Sequence, residues 1–138
     1  MAYSALIIDD DESIRGLITD ILEPFGFNVR TASTGAEGIL LAQEYPPDII
    51  LCDLILPDTM GTETVLKLRQ EPGLQNIPII MVTGYPYLEK HAQHLNCTLL
   101  TKPFSMSDIV EKAREAVGAP SKNLPVTEAA PVEMSSAS

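Results

Sequence analysis

The sequence predicts an α/β fold in which helices cover both faces of a five-stranded parallel sheet. Apolar runs of strand length alternate along the chain with segments whose apolar residues recur at helical spacing. Strict alternation of strand and helix is typical of parallel sheets, because right-handed crossovers wind the helices onto both faces. The central run, 49–53, is apolar until its final carboxylate, as expected for a strand buried on both sides.

Turn and capping residues delimit each predicted element. Pro24 and Gly26 close the first helix, and paired prolines end the second. The second strand alternates apolar and polar residues, which indicates a more exposed position than the first. Ser105 and Asp108 form a capping-box pattern that opens the final helix. The strands are predicted at about 4–8, 27–32, 48–53, 77–82 and 97–101, and the third and fourth helices at about 62–70 and 87–95. The first helix has its apolar positions between Ile14 and Leu22, the second opens at Ser33-Thr34-Gly35 and ends before Pro46, and the last starts at Ser105 with apolar positions up to Val117.

Length and composition indicate one domain followed by a tail. A chain of 138 residues with 45% hydrophobic residues can bury one ordinary core. After Gly118 the helical pattern stops and the sequence becomes rich in Pro, Ala and Ser, so we expect a domain over 1–118 and a disordered tail or linker over 119–138. This tail leaves open whether an output domain follows.

Charge and cysteine content exclude several function classes. A net charge of −10 argues against direct nucleic-acid binding, which requires cationic surface. Charges or prolines interrupt every apolar run before it reaches membrane-spanning length. Cys52 and Cys97 lie far apart in apolar stretches, so we expect buried thiols in a reducing compartment and a cytoplasmic location.

Acidic, hydroxyl or basic residues that could take part in chemistry stand at the ends of the first, third, fourth and fifth predicted strands. Asp9 and Asp10 follow the first strand, Asp53 ends the third, Thr83 follows the fourth and Lys102 the fifth. In a parallel sheet these strand ends meet at the edge where ligands bind. Taken alone, Asp53 could equally be a turn residue, but the convergence of all five favours a functional site.

Three neighbouring carboxylates require compensating positive charge. Two unit charges about 5 Å apart repel by roughly 3 kcal/mol at an effective dielectric of about 20. Lys102 supplies one positive charge, and a divalent cation with oxygen ligands, such as Mg²⁺, would supply two more. An aspartate beside a bound metal can attack phosphorus and carry the phosphoryl group as an acyl phosphate. Thr83 and Lys102 would then contact the phosphoryl oxygens.

Four segments contain these polar residues. They are Ile7-Ile8-Asp9-Asp10-Asp11-Glu12, Asp53-Leu54-Ile55-Leu56-Pro57-Asp58-Thr59-Met60-Gly61, Met81-Val82-Thr83-Gly84 and Thr101-Lys102-Pro103-Phe104. Together they resemble the receiver domain of two-component response regulators. The resemblance implies a flavodoxin-like strand order 2-1-3-4-5 and a phosphoacceptor role for Asp53.

The resemblance also implies roles for the other residues. Mg²⁺ would bind Asp10 directly, Asp9 directly or through water, Asp53, and the backbone carbonyl of Ile55. Thr83 would be the switch hydroxyl, Lys102 would contact the phosphoryl group, and the Lys102-Pro103 bond would be cis.

The resemblance also implies partners. A sensor histidine kinase or a phosphotransfer protein would donate the phosphoryl group, and a downstream protein effector would bind the face formed by the predicted fourth helix, fifth strand and last helix. The chain would be a monomer or weak dimer without membrane contact. It would not be an enzyme, although it would assist its own phosphorylation and autodephosphorylation.

Leu99 departs from the family pattern, and two bulky residues near the site, Ile55 and Tyr85, could affect the rate of dephosphorylation. Leu99 stands where an aromatic residue is common, which predicts weaker coupling between Thr83 and the effector face. Ile55 and Tyr85 are bulky and lie two residues beyond Asp53 and Thr83. They either only contact solvent and partners or slow dephosphorylation by excluding water.

Three other classes of protein are alternatives. A flavin-binding protein would carry a Gly-, Ser- or Thr-rich phosphate loop where this chain has acids. A haloacid-dehalogenase-type phosphatase would carry a second acid two residues after the nucleophile, where Ile55 stands. The remaining alternative is a pseudo-receiver, a scaffold that binds partners without phosphorylation. Such a scaffold usually lacks one of the acids, the Thr or the Lys, and all are present here.

Overall fold

The computed structural model confirms the predicted α/β architecture. It describes residues 3–84 and 97–118, within which five parallel strands form one sheet in the order β2-β1-β3-β4-β5. The strands are β1 (Tyr3–Ile8), β2 (Phe27–Ala32), β3 (Ile49–Asp53), β4 (Ile79–Thr83) and β5 (Thr98–Thr101). The helices are α1 (Glu12–Leu22), α2 (Gly35–Glu44), α3 (Gly61–Gln70) and α4 (Met106–Val117), with a 3₁₀ turn at Glu23–Phe25.

The register of the sheet explains the different sequence patterns of its strands. β1 and β3 pair through Ala5 with Ile49 and Ile8 with Cys52 in the interior of the sheet. Four consecutive residues of each are buried, which accounts for their continuous apolar runs. β2 is an edge strand, and its mixed burial matches the alternation that predicted greater exposure.

Side-chain caps fix the starts of α1 and α4, and the cap of α4 is at the predicted position. Asp11 caps α1 by accepting from the backbone N–H of Ser13 at 2.8 Å. Ser105 and Asp108 form the reciprocal capping box of α4. Gly26 follows the 3₁₀ turn with φ 92°, a left-handed conformation that favours glycine and ends this helical segment.

Two apolar clusters fill the two faces of the sheet. The first joins β1, β3 and β4 to α1 and α4 through residues that include Ile18, Ile49 and Ile109. The second lies on the opposite face with α2 and α3 and includes Ala42 and Val65. Because alternate residues of each central strand enter each cluster, the sheet is covered on both sides, as a doubly wound domain requires.

The boundaries differ from the predictions by one or two residues. β4 begins at Ile79, because Pro78 has no backbone N–H and contributes only its carbonyl, which accepts from Ile50. β4 extends to Thr83, so this hydroxyl residue ends the strand instead of following it. The predicted helix over 87–95, Tyr85 and the predicted tail over 119–138 lie outside the described residues.

Cys52 and Cys97 form no disulfide with each other, as predicted. Cys52 is fully buried in β3, whereas Cys97 is only partly buried, because it precedes the edge strand β5. Among the described helices, none combines the length and apolar character that crossing a membrane requires.

Candidate functional site

Asp9 lies directly beyond β1, and its N–H, its carbonyl and its carboxylate all form hydrogen bonds. Its backbone N–H donates to the Ala32 carbonyl at 3.0 Å, which continues the pairing with β2. Its carboxylate accepts from the Asp11 N–H at 2.9 Å, and its carbonyl accepts from the Arg15 guanidinium at 2.6 Å. Only 2% of Asp9 is exposed, so it is not part of the solvated helix start that a run of acids usually forms.

Asp53 and Asp9 share one cation. The ammonium of Lys102 lies 3.7 Å from Asp53 Oδ2 and 3.8 Å from Asp9 Oδ2. Lys102 follows β5, and its backbone N–H donates to the Thr83 carbonyl at 2.7 Å. The pairing of β5 with β4 therefore places Lys102 beside Asp53, which ends β3, and Asp9, which follows β1.

Three carboxylates form a group of the size that holds one metal ion. One oxygen each from Asp9, Asp10 and Asp53 lies within 4.8 Å of the others. Asp9 is buried, Asp53 is partly buried and Asp10 is exposed, so the group opens to solvent on one side. Such a set of hard oxygen donors with an open side fits Mg²⁺, which retains several water ligands in proteins.

The electrostatics of the site indicate that Lys102 does not fully balance the carboxylates. Burial, followed by the negative charge of Asp9, raises the pKa of Asp53 to about 6, although Lys102 acts in the opposite direction. Burial also raises the pKa of Asp9. The group of carboxylates therefore carries an excess of negative charge, which a further cation would offset.

Thr83 lies where the sequence placed it, at the same edge. It is the last residue of β4, is 1% exposed and pairs in register with Thr101, the residue before Lys102. The Lys102-Pro103 peptide bond is cis, as the resemblance implied. Leu99 is half-buried two residues before Thr101 and packs against the cluster under α2 and α3.

The loop between β3 and α3 turns tightly beside Asp53. Ile55 and Met60 form an antiparallel bridge, and the Gly61 N–H donates to the Leu54 carbonyl at 2.5 Å. A Cβ at Gly61 would overlap the Asp53 carbonyl, so the close approach of α3 to the strand end requires glycine. The Ile55 N–H lies 3.4 Å from Asp53 Oδ1, and 44% of Ile55 is exposed.

Sequence reasoning missed two residues that organise the site. Arg15 donates from its guanidinium to the Asp9 carbonyl. The carboxylate of Asp58 accepts from the backbone N–H groups of Gly35 and Ala36 at 2.9 and 3.0 Å. Arg15 binds a backbone atom six residues earlier, and Asp58 binds backbone atoms more than 20 residues earlier. No pattern of side chains in the sequence predicts such contacts to the backbone.

The fold and this site define the class of protein. The sequence matches the family described as the response regulator receiver domain over residues 5–114. The chain belongs to this family, and it is a receiver domain of the kind used in two-component signalling.

Named relatives and one solved structure agree with this class. The chain is 34% identical over 112 residues to the DNA-binding dual master transcriptional regulator RpaA of Synechocystis, covering 79% of this chain but only 46% of RpaA. It is 31% identical over 121 residues to the polar-differentiation response regulator DivK of Brucella ovis, covering 86% of this chain and 98% of DivK. The chemotaxis protein CheY4 of Vibrio cholerae superposes with a TM-score of 0.79 at 28% identity, covering 84% of this chain and 99% of CheY4.

Proposed function

We propose that this chain accepts a phosphoryl group on Asp53 with the aid of Mg²⁺ and thereby switches a protein-binding surface. The single observation that carries the proposal is the convergence of the Asp9, Asp10 and Asp53 carboxylates with the Lys102 ammonium at one edge of the sheet. A site that only stabilised the fold would not require three acids around one lysine, because their mutual repulsion lowers stability.

The proposed metal site uses this chain's own oxygen atoms. Carboxylate oxygens of Asp9, Asp10 and Asp53 and the backbone carbonyl of Ile55 would hold Mg²⁺, with Asp9 binding directly or through water. When bound, Mg²⁺ would offset the negative charge that develops on the phosphoryl oxygens. The raised pKa of Asp53 supports this proposal, because a carboxylate whose pKa is raised favours added positive charge beside it.

The proposed chemistry is in-line transfer to the Asp53 carboxylate. One Asp53 oxygen attacks phosphorus of a phosphohistidine, an O–P bond forms, the N–P bond breaks and the histidine ring leaves with the electron pair. The Lys102 ammonium lies 3.7 Å from Asp53 and would contact a phosphoryl oxygen, with the Thr83 hydroxyl contacting another. Hydrolysis of the acyl phosphate would return the carboxylate, so the chain is a substrate that assists its own reactions and not a turnover enzyme.

The proposed partners follow from the class of protein. A sensor histidine kinase or a phosphotransfer protein would supply the phosphoryl group, and a downstream protein would bind the face around β5 and α4. We propose that the chain acts as a monomer or weak dimer. The two cysteines, which form no disulfide, support a reducing compartment such as the cytoplasm.

Phosphorylation by a small donor tests the proposal. Acetyl phosphate with Mg²⁺ should add one phosphoryl group to the intact chain, as measured by mass spectrometry. Omission of Mg²⁺ or substitution Asp53→Asn should abolish the addition. A chain that binds Mg²⁺ but remains unmodified would favour the pseudo-receiver alternative instead.

A further inference from the structure

The carboxylate of Asp58 joins two elements that are separate in sequence. Asp58 lies at the tip of the loop between β3 and α3, three residues beyond Ile55. Its Oδ1 accepts from the Gly35 N–H at 2.9 Å, and its Oδ2 accepts from the Ala36 N–H at 3.0 Å. The loop is thus tied by two hydrogen bonds to the first turn of α2.

The other hydrogen-bond donors at this helix end have their own partners. Thr34 is the N-cap of α2 and accepts from the Glu37 N–H at 3.1 Å, while its carbonyl accepts from Gly38. Glu37 accepts from the Ser33 N–H at 2.9 Å. Asp58 therefore supplies the acceptors for the two first-turn N–H groups that α2's own residues leave over, where the helix dipole favours a negative charge.

Packing brings the loop and α2 together at the same point. A Cβ at Gly35 would overlap Thr64 Oγ1 on α3 and come within 2.8 Å of Thr59 Cγ2 in the loop, so glycine lets the helix end lie directly against both. The two N–H groups hold the pKa of Asp58 below its ordinary value, which keeps its carboxylate charged. The contact is therefore a charged hydrogen-bond pair combined with close backbone packing.

The other end of the same loop carries the backbone carbonyl proposed to bind Mg²⁺. The loop is anchored at its base, where Leu54 and Leu56 are buried and Leu56 donates to the Thr59 carbonyl at 3.0 Å. Ile55 itself is exposed, and its N–H makes only a long contact of 3.4 Å to Asp53. The Ile55 peptide is held through its neighbours, by the Leu56–Thr59 and Gly61–Leu54 hydrogen bonds, and so belongs to the same tight turn whose tip Asp58 ties to α2.

We propose that Asp58 is a positioning residue for the metal site, because its bonds to α2 hold the loop in the conformation that presents the Ile55 carbonyl beside Asp9, Asp10 and Asp53. The inference rests on the proposed Mg²⁺ site. Without the hydrogen bonds of Asp58 to α2, the loop would sample other conformations before the metal binds. Binding would then have to order the loop, and this entropy cost would reduce the affinity for the metal. Outer contacts that orient a ligand affect metal affinity without touching the metal.

Isothermal titration calorimetry of the full chain with Mg²⁺ alone tests this role. Asp58→Ala should weaken Mg²⁺ binding by about 10-fold, the lower end of the effect found when ligand-orienting contacts are removed. Asp58→Asn retains one acceptor oxygen and should fall between Asp58→Ala and the wild-type chain. Thermal unfolding of each variant shows that it is folded under the conditions of the titration.

Glu37→Ala is the matched control. It removes the same unit charge and two hydrogen bonds at the same end of α2, and these bonds come from the N–H and the hydroxyl of Ser33, not from the loop. Its Mg²⁺ affinity should stay close to that of the wild-type chain. Hydrogen exchange in the absence of Mg²⁺ should be faster for the amides of residues 55, 56 and 58–60 in Asp58→Ala but not in Glu37→Ala.

The outcomes separate this inference from the proposed function. Equal Mg²⁺ affinity of Asp58→Ala and the wild-type chain overturns the positioning role alone, and so does an equal loss in Glu37→Ala, which would trace the effect to charge or to helix stability. A wild-type chain that binds no Mg²⁺ overturns the proposed metal site and this inference with it.

Discussion

Asp53 combines two properties that oppose each other, burial and negative charge. Its side chain is 13% exposed and shares Lys102 with the more deeply buried Asp9. Reaction with phosphorus requires the charged carboxylate, whereas burial and Asp9 favour the protonated form and raise the pKa of Asp53 to about 6. A bound cation would relieve this conflict, because it would stabilise the charged form of Asp53 and lower its pKa.

Replacing Asp53 should therefore change how stability depends on pH. The folded chain binds the Asp53 proton more tightly than the unfolded chain, so the free energy of unfolding falls as pH rises from the unfolded pKa of about 4 to the folded pKa of about 6. Without divalent cations, Asp53→Asn should gain up to about 3 kcal/mol over the wild-type chain across this window. Urea unfolding at a series of pH values measures the difference.

The control for loss of a surface charge is Asp20→Asn, which removes an exposed carboxylate on α1. If the stability difference between Asp53→Asn and the wild-type chain stays constant with pH, the raised pKa of Asp53 is wrong. Chelator must be present throughout, since a trace of bound metal would stabilise only the wild-type carboxylate.

Residue types and their positions at strand ends were enough to predict Asp9, Asp10, Asp53, Thr83 and Lys102. Parallel strands bring such positions together whatever the details of packing, and the structure places them at one edge. The contacts of Arg15 and Asp58 could not be predicted, because each binds backbone groups whose location depends on the folded loops. The metal-binding and phosphoryl-transfer roles of the five predicted residues stay predictions until measured.

At the scale of elements, the junction between β3 and α3 determines where Asp53 points. α3 starts at Gly61, directly against the Asp53 and Leu54 backbone, and Val65 and Leu68 anchor the helix in the core. The apolar spacing of α3 predicted the helix to within one residue of its observed start. The close approach at Gly61 could not be predicted, because it depends on backbone positions in three dimensions.

Two glycine substitutions should have opposite effects on stability. Gly61→Ala would force a Cβ against the Asp53 backbone and should lower the free energy of unfolding by about 1–3 kcal/mol, as overpacking does. Gly16→Ala lies at an exposed position of α1, where a Cβ would meet nothing within 4 Å outside the helix's own backbone, and should raise the free energy of unfolding by up to about 1 kcal/mol. Thermal unfolding of both variants measures this, and equal shifts would contradict the described junction.

At the scale of the whole molecule, the sheet order brings segments from the entire domain to one acidic edge. The fold class and order 2-1-3-4-5 were predictable, since alternation and the resemblance at the strand ends both indicate a doubly wound sheet. What the sequence could not reveal is how strongly the acids outweigh Lys102, because that balance depends on burial. A net charge of −10 adds a general attraction for cations beyond the site itself.

Mg²⁺ should therefore stabilise the chain more than its ionic strength alone. At a free concentration about 100 times the dissociation constant, specific binding adds about 2.7 kcal/mol to the free energy of unfolding. NaCl at the same ionic strength screens charge without occupying the site. Melting temperatures in the two salts measure the difference, which Asp10→Asn should largely remove because it deletes one exposed member of the carboxylate group.

Equal melting temperatures in the two salts would mean that Mg²⁺ acts only by screening the negative surface. A difference that persists undiminished in Asp10→Asn would place the stabilising ion elsewhere on the chain.

We expect Asp53, and not its neighbours Asp9 and Asp10, to take the phosphoryl group. To locate it, the wild-type chain is treated with acetyl phosphate and Mg²⁺, the acyl phosphate is reduced with borohydride, and the product is mapped by peptide mass spectrometry. Hydride attack on the acyl carbon releases phosphate and converts the modified aspartate to homoserine. Homoserine is expected at position 53 alone, whereas homoserine in place of Asp9 or Asp10, or at no position in a phosphorylated sample, would exclude Asp53 as the phosphoacceptor.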